Sequence, residues 1–166
     1  MSVQTYPDTV RRDYLTATME ALTTLVGHVF NVVRAGLEDT LEVGDANSRI
    51  GTREDLKRNE AQRKLLIGVL TNPSTIAELD GSGPGWKVMP STIAVLTQED
   101  CQTLAAGIKT VRTKLDSASR EDVERWCYMA KMYAATMMRV DAMAVLRVLG
   151  SKVRDRQRQY EIEATH

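Results

Sequence analysis

Proton transfer and metal binding have few candidate residues in this chain: His28 and His166 are its histidines, and Cys101 and Cys127 its cysteines. A di-metal site in a helical bundle takes glutamates with Glu-x-x-His pairs projecting inward. The one Glu-x-x-His is Glu163-Ala-Thr-His166, without the second such pair that a di-metal site needs, and His28 follows Glu20 by eight residues. His28 therefore reads as a core or interface histidine rather than a ligand or a base. Each cysteine falls in a helical apolar stripe, where a thiol packs as a small hydrophobe and is not activated as a nucleophile. The two also read as unpaired. If the helices bearing them turn back tightly near Ala118, Cys101 stands level with about residue 135, so Cys127 is offset by roughly 12 Å of helix, beyond disulfide reach.

Three further patterns carry possible chemistry. The run Asp80-Gly-Ser-Gly-Pro-Gly-Trp86-Lys87 is glycine-rich, but a P-loop needs Gly directly before Lys and Ser or Thr after it; here Trp86 precedes Lys87 and Val88 follows. It reads as a loop over 80–86, with Trp86 as a partner anchor. Met129, Met132, Met137, Met138 and Met143 offer soft thioethers, yet they fall on several sides of one helix and read as packing rather than a copper site. The third pattern is basic: Arg147, Lys152, Arg154, Arg156 and Arg158 stand against one acid, Asp155. These five are the candidates for contact with phosphate, nucleic acid or an acidic partner. With Tyr160 as the single interleaved aromatic, base stacking has little support. A solvated helix end, pairing with Glu161 or Glu163, is the competing reading. A second basic cluster at Arg53, Lys57, Arg58, Arg63 and Lys64 is diluted by Glu54, Asp55 and Glu60. No residue is assigned a catalytic, cofactor-binding or metal-binding role.

The elements that must carry these residues follow from periodicity. Leu15, Met19, Leu22, Val26, Val29, Val33 and Leu37 recur three and four apart, with Tyr14, Ala21, Leu25 and Val32 beside them, which predicts a helix over about 8–43 with a wide apolar face. Gly44–Gly51 carries loop residues, and Thr52 opens a second helix to about 71. The segment 72–97 is irregular and holds a short repeat, Pro73-Ser-Thr-Ile-Ala-Glu-Leu79 and Pro90-Ser-Thr-Ile-Ala-Val-Leu96, suited to two brief helical turns, the second copy equally to a short strand. A third helix covers 98–116 with Cys101, Leu104, Ile108, Val111 and Leu115 inward. The fourth runs over about 119–158, and the two form an αα-hairpin within 97–158. Thr52, Thr97 and Ser119 each stand two residues before Glu-Asp, close to a capping box and a helix-start signature. Residues 159–166 are expected to be a disordered tail.

The expected fold is thus all-α: a single domain of about four principal helices, two of them long. Its 166 residues suffice for one core, and 22 basic against 22 acidic residues give no global bias toward nucleic acid or an anionic membrane. No uncharged apolar run approaches a membrane span, and the N-terminus lacks a signal-peptide pattern, so a cytoplasmic or particle-borne protein is expected. From Trp126 to Leu149 apolar residues occupy nearly every helical face, more than one bundle readily covers. The expected function is non-enzymatic: a helical subunit that self-associates or joins a larger assembly, a virion or phage-particle component being one concrete form. Its contacts are expected through Trp126, Tyr133, Met137, Met138, Leu146 and Trp86. The alternative is a regulatory module that binds nucleic acid or an acidic partner through the basic end. Neither reading calls for a cofactor, a small-molecule substrate or a membrane.

Overall fold

A computed structural model of the chain describes the backbone of residues 8–81, 89–129 and 135–165, and the side chains of 15–78, 89–126 and 142–165. The described elements are α1 (Asp8–Val43), α2 (Ala46–Thr71), α3 (Pro73–Gly81), α4 (Ser91–Ala94), α5 (Gln98–Ser117), α6 (Arg120–Met129) and α7 (Ala135–Ala164). No strand occurs among the described residues, and the chain is an all-α bundle.

The core forms where the apolar stripes meet. Helix α1 contributes Met19, Leu22, Val26 and Val29 from the expected stripe, flanked by Leu25 and Phe30. Leu66, Val69 and Leu70 enter from the C-terminal end of α2, Ile93 from α4, Cys101, Leu104, Ile108, Val111 and Leu115 from α5, and Val123 from α6. Helix α7 supplies Ala142, Val145, Leu146, Leu149 and Val153. Each large side chain taken fully out of water here contributes about 1.5–3 kcal/mol before entropy is counted.

Several boundaries differ from the sequence expectation, each for a local reason. Residues 46–51 are helical, not loop, because Asp45 and not Thr52 caps α2: the Ser48 N–H donates to Asp45 Oδ1 at 2.8 Å. Thr52 is buried inside α2 instead. The turn is thereby cut to Gly44 and Asp45, where a Cβ on Gly44 would stand 3.0 Å from the Thr40 carbonyl oxygen and from the Ser48 Cβ. The other two hydroxyl starts hold. Thr97 accepts from the Asp100 N–H and Ser119 from the Asp122 N–H, both at 3.1 Å. The expected tail is also helical: α7 continues to Ala164, secured by Tyr160, whose hydroxyl donates to the Leu96 carbonyl.

The two repeat copies are both helical, in α3 and α4, which excludes the strand alternative for the second. Their third residues meet, Thr75 Oγ1 lying 2.8 Å from Thr92 Oγ1. Beyond that pair the copies diverge. Glu78 in the first accepts the Ser91 N–H at 2.7 Å, and this hydrogen bond holds its carboxyl below the usual value. The matching position in the second copy is the exposed Val95.

The largest departure concerns α5 and the run behind it. One straight helix was expected over 119–158, but α6 and α7 pack against each other. Pieces of one straight helix separated by five residues would lie more than about 8 Å apart along the axis and could not do so; the axes of α6 and α7 are therefore not collinear. Helix α5 packs antiparallel to α7, as a hairpin would, yet in another register. A Cβ on Gly150 would contact Ile108 Cγ2 at 3.6 Å, and Leu96 meets Tyr160. Cys101 consequently stands near Arg156, not level with residue 135.

Two helices outrun this core. Past Phe30 no residue of α1 is buried, and before Asn59 only Thr52 of α2 is. Residues 31–58 thus form a two-helix arm whose seam is Val33, Leu37, Leu41, Thr52 and Leu56. The α1 part of the arm, thirteen residues, is roughly 20 Å long.

Candidate functional site

Where α5 and α7 run side by side, their outward edges leave an open groove of about 530 Å³. Two stripes line it. Lys109, Arg112, Thr113 and Asp116 stand three, one and three apart along α5; Arg147, Gly150 and Arg154 stand three and four apart along α7. These spacings put each set on one helical face. Ala105, Ile108 and Met143 give the groove an apolar floor. Gly150 lies beside that floor, where an added Cβ would stand in ordinary contact with Ile108 at 3.6 Å.

Four cations therefore face one carboxylate. Among the described residues, Lys109, Arg112, Arg147 and Arg154 have no carboxylate within 4.0 Å, although Arg112 and Asp116 have the four-residue spacing of an ion pair. The Nε of Arg112 is buried and has no hydrogen-bond partner. A desolvated guanidinium N–H without an acceptor is costly, and an oxyanion in the groove would supply one. Like charges held along two fixed helices also repel, a cost that a bound anion relieves.

The five basic residues singled out in the sequence separate here. Arg147 and Arg154 line the groove, two helical turns apart. Lys152 is half-buried and lies outside its lining. Arg156 is structural: its guanidinium carbon lies 4.1 Å from the centre of the Tyr160 ring, and its Nη2 donates to the Tyr160 hydroxyl at 3.0 Å. Arg158 pairs with Asp155 at 3.8 Å. Lys109 and Arg112 were not singled out; their signal was a pair of cations three apart on the outward face of the third helix.

Of the expected interface residues, Leu146 is fully buried in the chain's own core and has no surface left for a partner, which corrects that assignment. Trp126 is half-buried against the core. Tyr133, Met137, Met138 and Trp86 lie outside the described side chains. Of the stretch expected to be apolar on nearly every face, 142–149 is described in α7: Ala142, Val145, Leu146 and Leu149 are buried and Ala144 and Arg147 exposed, and the exposed edge continues beyond it through Ser151 and Arg154.

The other residues weighed for chemistry do not form a site. Burial raises the Cys101 thiol above its ordinary value, against an opposing pull from Arg156, so it is protonated near neutrality. Cys127 lies outside the described side chains. Among the described residues no group of three His, Cys, Asp or Glu stands where it would hold a metal ion, and no helix is long and apolar enough to cross a membrane. A second cavity of about 650 Å³ lies between α1, α2 and α3, with Glu20 as its single charge. Two of its hydroxyls, Thr23 and Thr71, donate back to Met19 and Ile67 in their own helices. It therefore presents no convergent polar set. No family model, curated protein or solved structure matches the chain.

Proposed function

We propose that this protein is a non-enzymatic helical subunit that self-associates or packs into a larger protein assembly. The observation that carries this reading is the arm at 31–58. A two-helix projection with one narrow seam buries little of its own surface, and helical pairs of this length gain most of their stability from tertiary cover. Its apolar side chains face water instead: Val32 is 51% exposed, Ile50 61% and Val43 86%. Contacts with other subunits would cover them. Light scattering on the purified chain at micromolar concentration tests the reading. A mass above one chain that falls on dilution is expected, and a monomer throughout the range would refute it.

The cations of the groove admit a second reading, a module that binds a polyanion such as nucleic acid. Its four cations without carboxylate partners are the kind that phosphate contacts neutralise. Binding to nucleic acid would then be strongest at low salt, and its absence at about 50 mM salt would exclude this reading.

A further inference from the structure

We infer that the groove between α5 and α7 receives the acidic tip of the arm from a second copy of this chain. The inference rests on the assembly reading above and names the two surfaces that meet.

The groove favours protein carboxylate over phosphate on two grounds. No aromatic side chain lines the groove to stack on a base, and its floor of Ala105, Ile108 and Met143 suits an aliphatic side chain. Arg156 and Arg158 are engaged elsewhere, so the cations form a short patch and not a track along which a nucleic acid would run.

The arm carries the complementary chemistry. From Ala35 to Ser48 the chain has no cation, while Glu38, Asp39 and Glu42 stand there on α1, all exposed. Glu38 has one neighbour of opposite charge, Arg34 at 3.7 Å, and no cation lies within 4.0 Å of Asp39 or Glu42 among the described residues. These carboxylates span about 6 Å of helix, and Arg147 and Arg154 lie about 10 Å apart along theirs, a difference that flexible arginine side chains readily take up. Val43, the most exposed large apolar residue of the described chain, follows directly and would reach the apolar floor. The joint pairs two different surfaces, so each copy offers an arm and accepts one.

The test is a charge exchange. In one variant the groove is reversed, Arg147→Glu with Arg154→Glu; in the other the arm is reversed, Glu38→Lys with Glu42→Lys. All four positions are exposed, so both variants are expected to keep wild-type circular dichroism. Each alone should raise the concentration for half-association on the order of 100-fold, because reversal places like charges face to face. An equimolar mixture should associate again, since the lysine arm of one fits the glutamate groove of the other. Association of either variant at the wild-type concentration overturns the inference, as does a mixture that stays monomeric. Nucleic acid that binds the wild type and is lost on groove reversal, with self-association unchanged, overturns it in favour of a polyanion. If the wild type is itself monomeric, the assembly reading fails with it; if the wild type associates and both variants do too, the arm-to-groove joint alone fails.

Discussion

Gly107 sets how closely α2 and α5 cross, and through α5 it sets one wall of the groove. A Cβ built there would stand 3.2 Å from the Cβ of Gln62, 3.4 Å from its carbonyl oxygen and 3.6 Å from its Cα. Two of these three atoms are backbone, so the obstacle cannot rotate away. Gly107→Val adds two further methyl groups where the first carbon is already tight. Overpacking of this kind costs about 1–3 kcal/mol, against roughly 0.4 kcal/mol gained because Val is a better helix former than Gly. The net loss is about 0.6–2.6 kcal/mol. For a chain of 166 residues, with a slope of about 2–4 °C per kcal/mol, the melting temperature should fall by about 1–10 °C. Gly36→Ala is the opposing control. It lies within α1 with no atom within 4 Å of its added Cβ, so the helix gains up to about 1 kcal/mol. Urea unfolding followed by circular dichroism reads both variants. An unchanged midpoint for Gly107→Val would refute the close α2–α5 crossing and with it the position of α5.

Two other expectations follow from single side chains. Tyr160→Phe removes the hydroxyl that serves both the Leu96 carbonyl and Arg156 Nη2; the loss should be about 1–2 kcal/mol, read as a lower melting temperature, and no change would mean that the end of α7 is not secured there. The second concerns pH. Glu78 is held below its usual value by the Ser91 N–H, Glu60 by its hydrogen bond to Arg63, and Asp45 by the Ser48 N–H. Each pKa is lower in the folded than in the unfolded chain, so the stability these groups contribute is present above the ordinary carboxylate value of about 4 and is lost as pH falls through the folded value. Melting temperature should decline between about pH 5 and 3, and Glu78→Gln should flatten that decline. A profile with the same slope in that variant would refute the role given to the Ser91 contact.

The legible parts of the fold were those fixed by strong local signals. Helix α1 runs over Asp8–Val43 as its three-and-four spacing predicts, and α5 begins behind Thr97 as its cap does. The start of α2 was not legible: Asp45, inside the expected loop, caps the helix in place of Thr52. Asp45 wins because Gly44 lets the chain turn tightly enough for α2 to start at once beside α1, and Thr52 is then drawn into the interior. Burial was legible as a stripe but not as an extent. Val33 and Leu37 continue the spacing of Val26 and Val29, yet they lie half-buried in the arm, since the core ends near Phe30, the one phenylalanine. Periodicity reports which face turns inward; it does not report where the neighbouring helices stop.

The groove depended on a quantity that no local pattern carries, the register between α5 and the helix opposite. With a tight hairpin at Ala118, Lys109 and Arg112 would stand level with residues near 125, and the basic end beyond Arg147 would project past the bundle with nothing beside it. Helix α6 changes this. Its Val123 is buried in the core and Trp126 packs against it, and α6 lies against α1 as well as α7. The chain therefore completes α6 before α7 returns along α5, which displaces the pairing by roughly twenty residues, to Ile108 beside Gly150. That displacement brings Lys109 and Arg112 next to Arg147 and Arg154. It also puts Arg156 close to the end of α4, where it packs on Tyr160 and leaves the set of free cations. A basic helix end in the sequence and a basic groove in the fold are thus different objects with two residues in common. The second exists because a short amphipathic helix, standing in sequence between the two that form its walls, packs against α1 and α7 and so shifts the register in which α7 meets α5.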